Sequence, residues 1–204
     1  SKIRVRLLSR NGNDRFDKSF FYRRIQYAYE YRSSVFEQLP DAFRLVYGES
    51  DGLPGLTVDV FHDVVVTQTL SMGTELRKKM IFDAIVKVLQ ESGKTIRGIY
   101  ERNDVKIREK EGLEENTGWY FLNESSDTTV QIEENDIFYH VDFANGQKTG
   151  FFLDQKENRM RIRAIAHDKT VLDCCTHTGS FAMNAMKGGC KKVTALDVSE
   201  KALD

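Results

Sequence analysis

The chain has 204 residues, 40% hydrophobic and 30% charged, a mixture that supports one or two hydrophobic cores and argues against dominant disorder. The 30 Lys and Arg against 31 Asp and Glu leave a formal net charge of -1, without the basic excess of a stand-alone nucleic-acid binder, so RNA contacts would come from local patches or from parts outside these residues. No apolar run approaches the roughly 20 residues that cross a bilayer, and Cys174, Cys175 and Cys190 form no CxxC pair, which predicts a cytoplasmic protein with neither disulfide framework nor zinc site.

Residues 2–8 alternate polar and apolar, as a half-buried strand does, and the pattern breaks at Asn11-Gly12-Asn13. From Asp17, a candidate N-cap, Phe20, Phe21, Ile25, Tyr29 and Phe36 recur at helical spacing ahead of Pro40, predicting a linker helix over 17–40. Three β-rich runs, 43–47, 56–61 and 64–70, are punctuated by turn residues and predict an antiparallel meander. Residues 75–90 carry apolar side chains at helical intervals, and 96–100 returns to strand-like alternation, so 41–124 reads as one small α+β domain. Polar residues 123–127 mark a boundary. Residues 129–133 and 137–143 predict a hairpin turned at Glu134-Asn135-Asp136. The order after Gly150 is helix (154–166), buried strand (170–174), helix (180–187), strand (192–196) and the start of a helix from Ser199. Such alternation predicts an α/β arrangement with a parallel sheet.

The stretch most informative about chemistry is Val171-Leu172-Asp173-Cys174-Cys175-Thr176-His177-Thr178-Gly179-Ser180-Phe181-Ala182, a strand, a small-residue turn and a helix start, which together expose backbone N–H groups. Asp197 closes the next strand, 24 positions after Asp173, where a nucleotide fold places a carboxylate for ribose hydroxyls. A dinucleotide would need G-x-G-x-x-G for its pyrophosphate, and Cys175, His177 and Gly179 do not supply it. S-adenosylmethionine carries no phosphate and asks for a looser turn with one close-approach glycine and an acidic clamp, for which Gly179 and Asp197 qualify.

Gly146-Gln147-Lys148-Thr149-Gly150-Phe151-Phe152-Leu153-Asp154-Gln155-Lys156-Glu157-Asn158-Arg159, followed by Leu172 to Phe181, resembles the class I S-adenosylmethionine-dependent cytosine-C5 methyltransferases of large-subunit ribosomal RNA. The earlier Gly48-Glu49-Ser50-Asp51-Gly52-Leu53-Pro54-Gly55-Leu56-Thr57-Val58-Asp59 is similar to the segment that opens that family's central domain. The resemblance implies the end of a PUA RNA-binding domain over 1–16, the central domain, and from 125 to 204 the first part of a Rossmann-like methyltransferase domain. It implies a cofactor pocket built from Lys148, Thr149, Gly150, Phe152 and Asp154 before the first strand and Asp173, Thr178, Gly179 and Asp197 after it. Two positions depart from the family's pattern: Cys175 stands where a bulky aromatic is common, and His177 where a tyrosine is.

Lys148 and Arg159 are candidates to pair with the cofactor carboxylate or an RNA phosphate, although a charge on a helix such as Arg159 is more commonly just solvated. Cysteines at a buried strand end are more commonly small core hydrophobes than nucleophiles. Methylation at C5 needs a thiolate at C6 of the pyrimidine and a base to remove the C5 proton. The resemblance places these groups in Asp-Pro-Pro and Ser-Cys-Ser-like segments, which are expected downstream of Asp204. Neither segment occurs in these 204 residues, whose prolines are Pro40 and Pro54, so no catalytic residue and no catalysis are expected of them alone. Ribosomal RNA is the expected partner, and exchange of elements in a homodimer is a further expectation. Two rival readings remain open: a methyltransferase of other specificity, such as guanine N2, and a noncatalytic RNA-binding or assembly module.

Overall fold

The computed structural model describes residues 5–200 and divides into two compact units. One comprises the residues up to Ile132 together with His140–Phe151; the other comprises Glu133–Tyr139 and the residues from Phe152 onward.

The first unit is built on a five-stranded sheet in the order β1-β2-β3-β4-β5, from Ala42–Tyr47, Leu56–Phe61, Val64–Thr69, Gly98–Arg102 and Thr117–Leu122. The first three strands form the expected antiparallel meander. β4 lies parallel to β3, because the chain crosses over through helices α2 (Met72–Glu75) and α3 (Lys78–Glu91). The apolar spacing predicts a single helix over 75–90. Ser71 instead caps a separate first turn through the Thr74 N–H, and the long helix begins after Arg77. Short α4 (Ile107–Lys110) precedes β5, an element not anticipated, since Thr117–Leu122 is apolar without alternation and Gly118 interrupts its start at φ +143°.

Helix α1 (Lys18–Val35) is capped by Asp17, whose carboxylate accepts from the Phe20 N–H at 3.0 Å. Its apolar face does more than link: Phe20, Phe21, Ile25 and Ala28 are buried with Ile81, Phe82, Ile85 and Leu89 of α3 and with the sheet. Each Phe, Ile or Leu side chain among them removed from water contributes about 1.5–3 kcal/mol before entropy is counted. Away from these helices Tyr100, Trp119 and Phe143 meet edge to face, with centroids 5.2–5.6 Å apart. Part of the opening strand expected over 2–8 lies outside the described residues. Residues 5–8 form no ladder, and their alternation is inverted: Val5 and Leu7 are exposed, while Arg6 turns inward to Glu49 and Glu111.

The hairpin of β6 (Thr129–Glu134) and β7 (Ile137–Asp142) turns at Asn135 and Asp136, both at positive φ, which is the two-residue turn that matches strand twist. In the second unit α5 (Lys156–Ile165), β8 (Thr170–Cys174), α6 (Ser180–Lys187) and β9 (Lys192–Leu196) follow in the expected order, and β8 pairs with β9 in parallel. The helix expected from Ser199 falls almost wholly outside the described residues, as does Asp204, the position after which the catalytic segments are expected. Burial of the 170–174 strand is not found. α6 packs against β8 and β9, but Leu172, 61% exposed, Cys174 and Leu196 lie on the opposite side, which the described residues leave uncovered. Cys174 and Cys175 are accordingly exposed rather than core hydrophobes. The architecture is mixed α/β, a small α+β unit and a parallel βαβ unit, and no helix among the described residues is long and apolar enough to cross a membrane.

Candidate functional site

The loop between β8 and α6 is shaped by its two carboxylates. Asp173 Oδ2 accepts from the Thr176 hydroxyl at 2.5 Å and from the Ala182 N–H at 3.0 Å, so it fastens the loop to the first turn of α6 and satisfies one of that helix's orphan donors. Thr176, buried, also donates its N–H to Leu196 O at 2.9 Å. Asp197 Oδ2 accepts from the His177 N–H at 2.8 Å, and Oδ1 from the Ser199 N–H at 2.9 Å. These backbone donors, Ser199 first and then His177, hold the Asp197 carboxyl below its ordinary range, so it stays an anionic acceptor at neutral pH. A carboxylate offers about four lone-pair sites. Acceptor capacity therefore remains for a ligand's hydroxyl groups.

Three loop residues, Cys175, His177 and Gly179, have φ between +53° and +73°. Two of them are not glycine, and a side chain in that region carries strain that the surrounding hydrogen bonds must hold. At Gly179 a Cβ would meet nothing within 4 Å, so the space beside the N-terminus of α6 is open. The Thr178 hydroxyl, buried, has no hydrogen-bond partner among the described residues, and an orphan of this kind is the condition a bound polar group would relieve. Phe152 meets His177 edge to face at 5.4 Å, a contact that sequence reasoning misses because the two lie 25 positions apart. In this unit, then, the structure groups Asp173, Thr178, Gly179 and Asp197 in one loop system, with Phe152 against it, while Asp154 is exposed in the single turn that precedes α5.

Arg159 is fully buried and forms a two-pronged pair with Glu134, Nε to Oε1 at 2.5 Å and Nη2 to Oε2 at 2.9 Å, and it also donates to Phe152 O. The candidacy of Arg159 for an external anion is thereby corrected: its donors face an internal carboxylate. Beside it Tyr139, whose phenol is pushed up to about 12 by burial and by Glu134, is joined to Asn184.

Lys148, Thr149 and Gly150 belong to the first unit. Thr149 is buried and donates its hydroxyl to Asp59 Oδ2 at 2.5 Å, which commits its hydroxyl proton inside the first unit. Gly150 sits at φ +121° where a Cβ would come within 3 Å of Val141 and Phe143, so only glycine fits. Lys148 is exposed at φ +53°.

A family profile described as S-adenosylmethionine-dependent methyltransferase matches residues 105–204. Over 205 aligned positions the chain is 42% identical to ribosomal RNA large subunit methyltransferase I of Aliivibrio fischeri (strain MJ11) and 44% identical to the protein of the same name from Pseudoalteromonas translucida. In both cases the whole of this chain is covered and 50% of the relative, so the chain spans about half the length of these curated proteins. A solved structure from Streptococcus mutans, provisionally assigned as an S-adenosylmethionine-dependent methyltransferase, matches 94% of the chain and 48% of its own at TM-score 0.77 and 25% identity. Another methyltransferase, likewise provisional and complexed with SAH, covers 94% and 47% at the same score and identity.

Proposed function

We propose that this chain is part of an S-adenosylmethionine-dependent methyltransferase that modifies cytosine C5 in large-subunit ribosomal RNA, with the nucleophile and base of that reaction carried by segments downstream of Asp204. The observation that carries the cofactor half of this reading is Asp197: an anionic carboxylate at the end of β9, held by two backbone N–H groups and keeping acceptor capacity for ribose hydroxyls. The open space at Gly179 and the orphan hydroxyl of Thr178 fit the same occupant. Lys148, Gly150, Phe152 and Asp154 complete the proposed set with Thr149 and Asp173, the last positioning the loop on α6. When bound, the cofactor supplies an electrophilic methyl group; the residues of this chain orient it, and Phe152 with His177 offers an aromatic wall.

The substrate half rests on the names of the relatives, large-subunit ribosomal RNA methyltransferases, and the choice of cytosine C5 on the motif resemblance. A PUA-type segment over 1–16 and a homodimer belong to the same proposal. The experiment is titration calorimetry of S-adenosylhomocysteine into the intact protein and into Asp197→Ala. Saturable binding that the variant weakens by about tenfold or more, as expected for losing a charged hydrogen-bond acceptor, supports the reading. Equal binding by both would remove Asp197 from the site, and absence of binding in either would remove the cofactor. Mass mapping of methylated ribosomal RNA then separates cytosine C5 from guanine N2.

A further inference from the structure

The segment Gly48–Asp59, conspicuous in the sequence, holds two arginines in the structure. Asp51 receives both terminal nitrogens of Arg32, Nη1 and Nη2, the latter at 2.7 Å. Asp59 receives Arg44 in the same two-pronged way, Nε to Oδ1 at 2.7 Å and Nη2 to Oδ2 at 2.8 Å. The two clamps are joined: Arg32 Nε donates to Arg44 O at 3.0 Å, and the Tyr47 N–H donates to Asp51 Oδ2 at 2.6 Å. Each guanidinium in turn lies against one face of a tyrosine, Arg32 against Tyr31 and Arg44 against Tyr47, both 5.3 Å from the ring centroid. Tyr31 and Tyr47 are 63% and 58% exposed as residues. Two aromatic plates are thus backed by pinned cations on one side and open to solvent on the other.

We infer that Tyr31 and Tyr47, backed by Arg32 and Arg44, form a stacking surface for unpaired bases of a single-stranded RNA segment; this deepens the RNA-modifying reading above and rests on it. The charge arrangement sets how such an occupant would be held. Both arginines are neutralised by carboxylates in their forks, and the whole chain carries net charge -1, so the patch is poorly suited to gripping phosphates. What it presents is preorganised π surface, which every base can use and which a base already stacked in a duplex cannot reach. An enzyme acting on a ring carbon needs its target out of the helix, and exposed stacking plates stabilise that unstacked state. Within the same unit Asp59, the clamp of Arg44, is the carboxylate that receives the Thr149 hydroxyl, so the stacking surface and the loop carrying Lys148 share one buried group.

The test is fluorescence anisotropy of a labelled single-stranded oligouridylate, and of the same sequence in duplex, with the intact protein and its Tyr31→Ala, Tyr47→Ala, Tyr31→Phe and Tyr47→Phe variants, each checked for fold by circular dichroism. Each alanine variant is expected to weaken binding of the single strand by about tenfold, the phenylalanine variants to retain it, and the salt dependence of binding to be the same in wild type and alanine variants, since no phosphate contact is lost. Alanine variants that bind like the wild type, while the wild type still binds S-adenosylhomocysteine, overturn the surface and leave the methyltransferase reading intact. A wild type without cofactor binding but with tyrosine-dependent RNA binding removes that reading and leaves the surface. A sedimenting dimer that Tyr31→Ala dissociates, with RNA affinity per protomer unchanged, overturns it in favour of a second copy of the chain.

Discussion

Arg159 shows how one residue can mislead when read from its type alone. The sequence offers it as a cation near a helix start; the structure encloses it with Glu134, so its charge is internal to the second unit. A pair of this kind contributes little net stability, but removing one partner strands a buried charge. Glu134→Ala is therefore expected to destabilise the fold by about 3–5 kcal/mol, read as a lowered urea midpoint, whereas replacing both residues by apolar ones of similar volume recovers most of that loss. Glu134 is invisible as a partner in the sequence because it closes a hairpin strand 25 positions earlier. The position of Asp197 is legible, since the order of strand, turn, helix and strand puts it just past β9, where it meets the loop through the His177 N–H. Thr178's orphan hydroxyl and the ring contact of Phe152 with His177 follow from loop geometry that no spacing rule encodes.

At the scale of elements, the hairpin of β6 and β7 is the clearest local signal. Its turn places Asn135 at φ +55° and Asp136 at φ +58°, where short polar side chains are tolerated and branched ones are not. Asp136→Val is expected to cost about 1–2 kcal/mol, whereas Asp136→Gly should leave stability unchanged or raise it, because what it gives up is an exposed pair with Arg163; thermal melts of both variants check this. β2, β8, α6 and β9 match the sequence expectation to the residue, since each has a hydrophobic run closed by unambiguous turn residues. β5 is missed and the α2–α3 break merged for the opposite reason: an unalternating run and a capping serine inside an apolar segment both look like continuations of their neighbours.

On the scale of the whole molecule, the sequence conveys the order of elements but not what covers them, because hydrophobicity records a preference for burial and not the presence of a neighbouring layer. The bare side of β8 and β9, with Leu172 and Leu196 outward, makes a direct expectation. A polypeptide of these 204 residues should bind an anilinonaphthalene dye strongly, and Leu172→Thr with Leu196→Thr should reduce the signal; an unchanged signal would mean that this side is covered in solution. The boundary expected near 124 also meets a different division. The chain passes between the two compact units at Ile132 to Glu133, again at Tyr139 to His140, and again at Phe151 to Phe152. Severing the backbone at any one of these junctions leaves at least one unit divided between the two pieces. A proteolytic motor threading the chain from either end would have to dismantle one unit before it could finish extracting the other, which couples the lifetimes of two parts that share no continuous stretch of sequence.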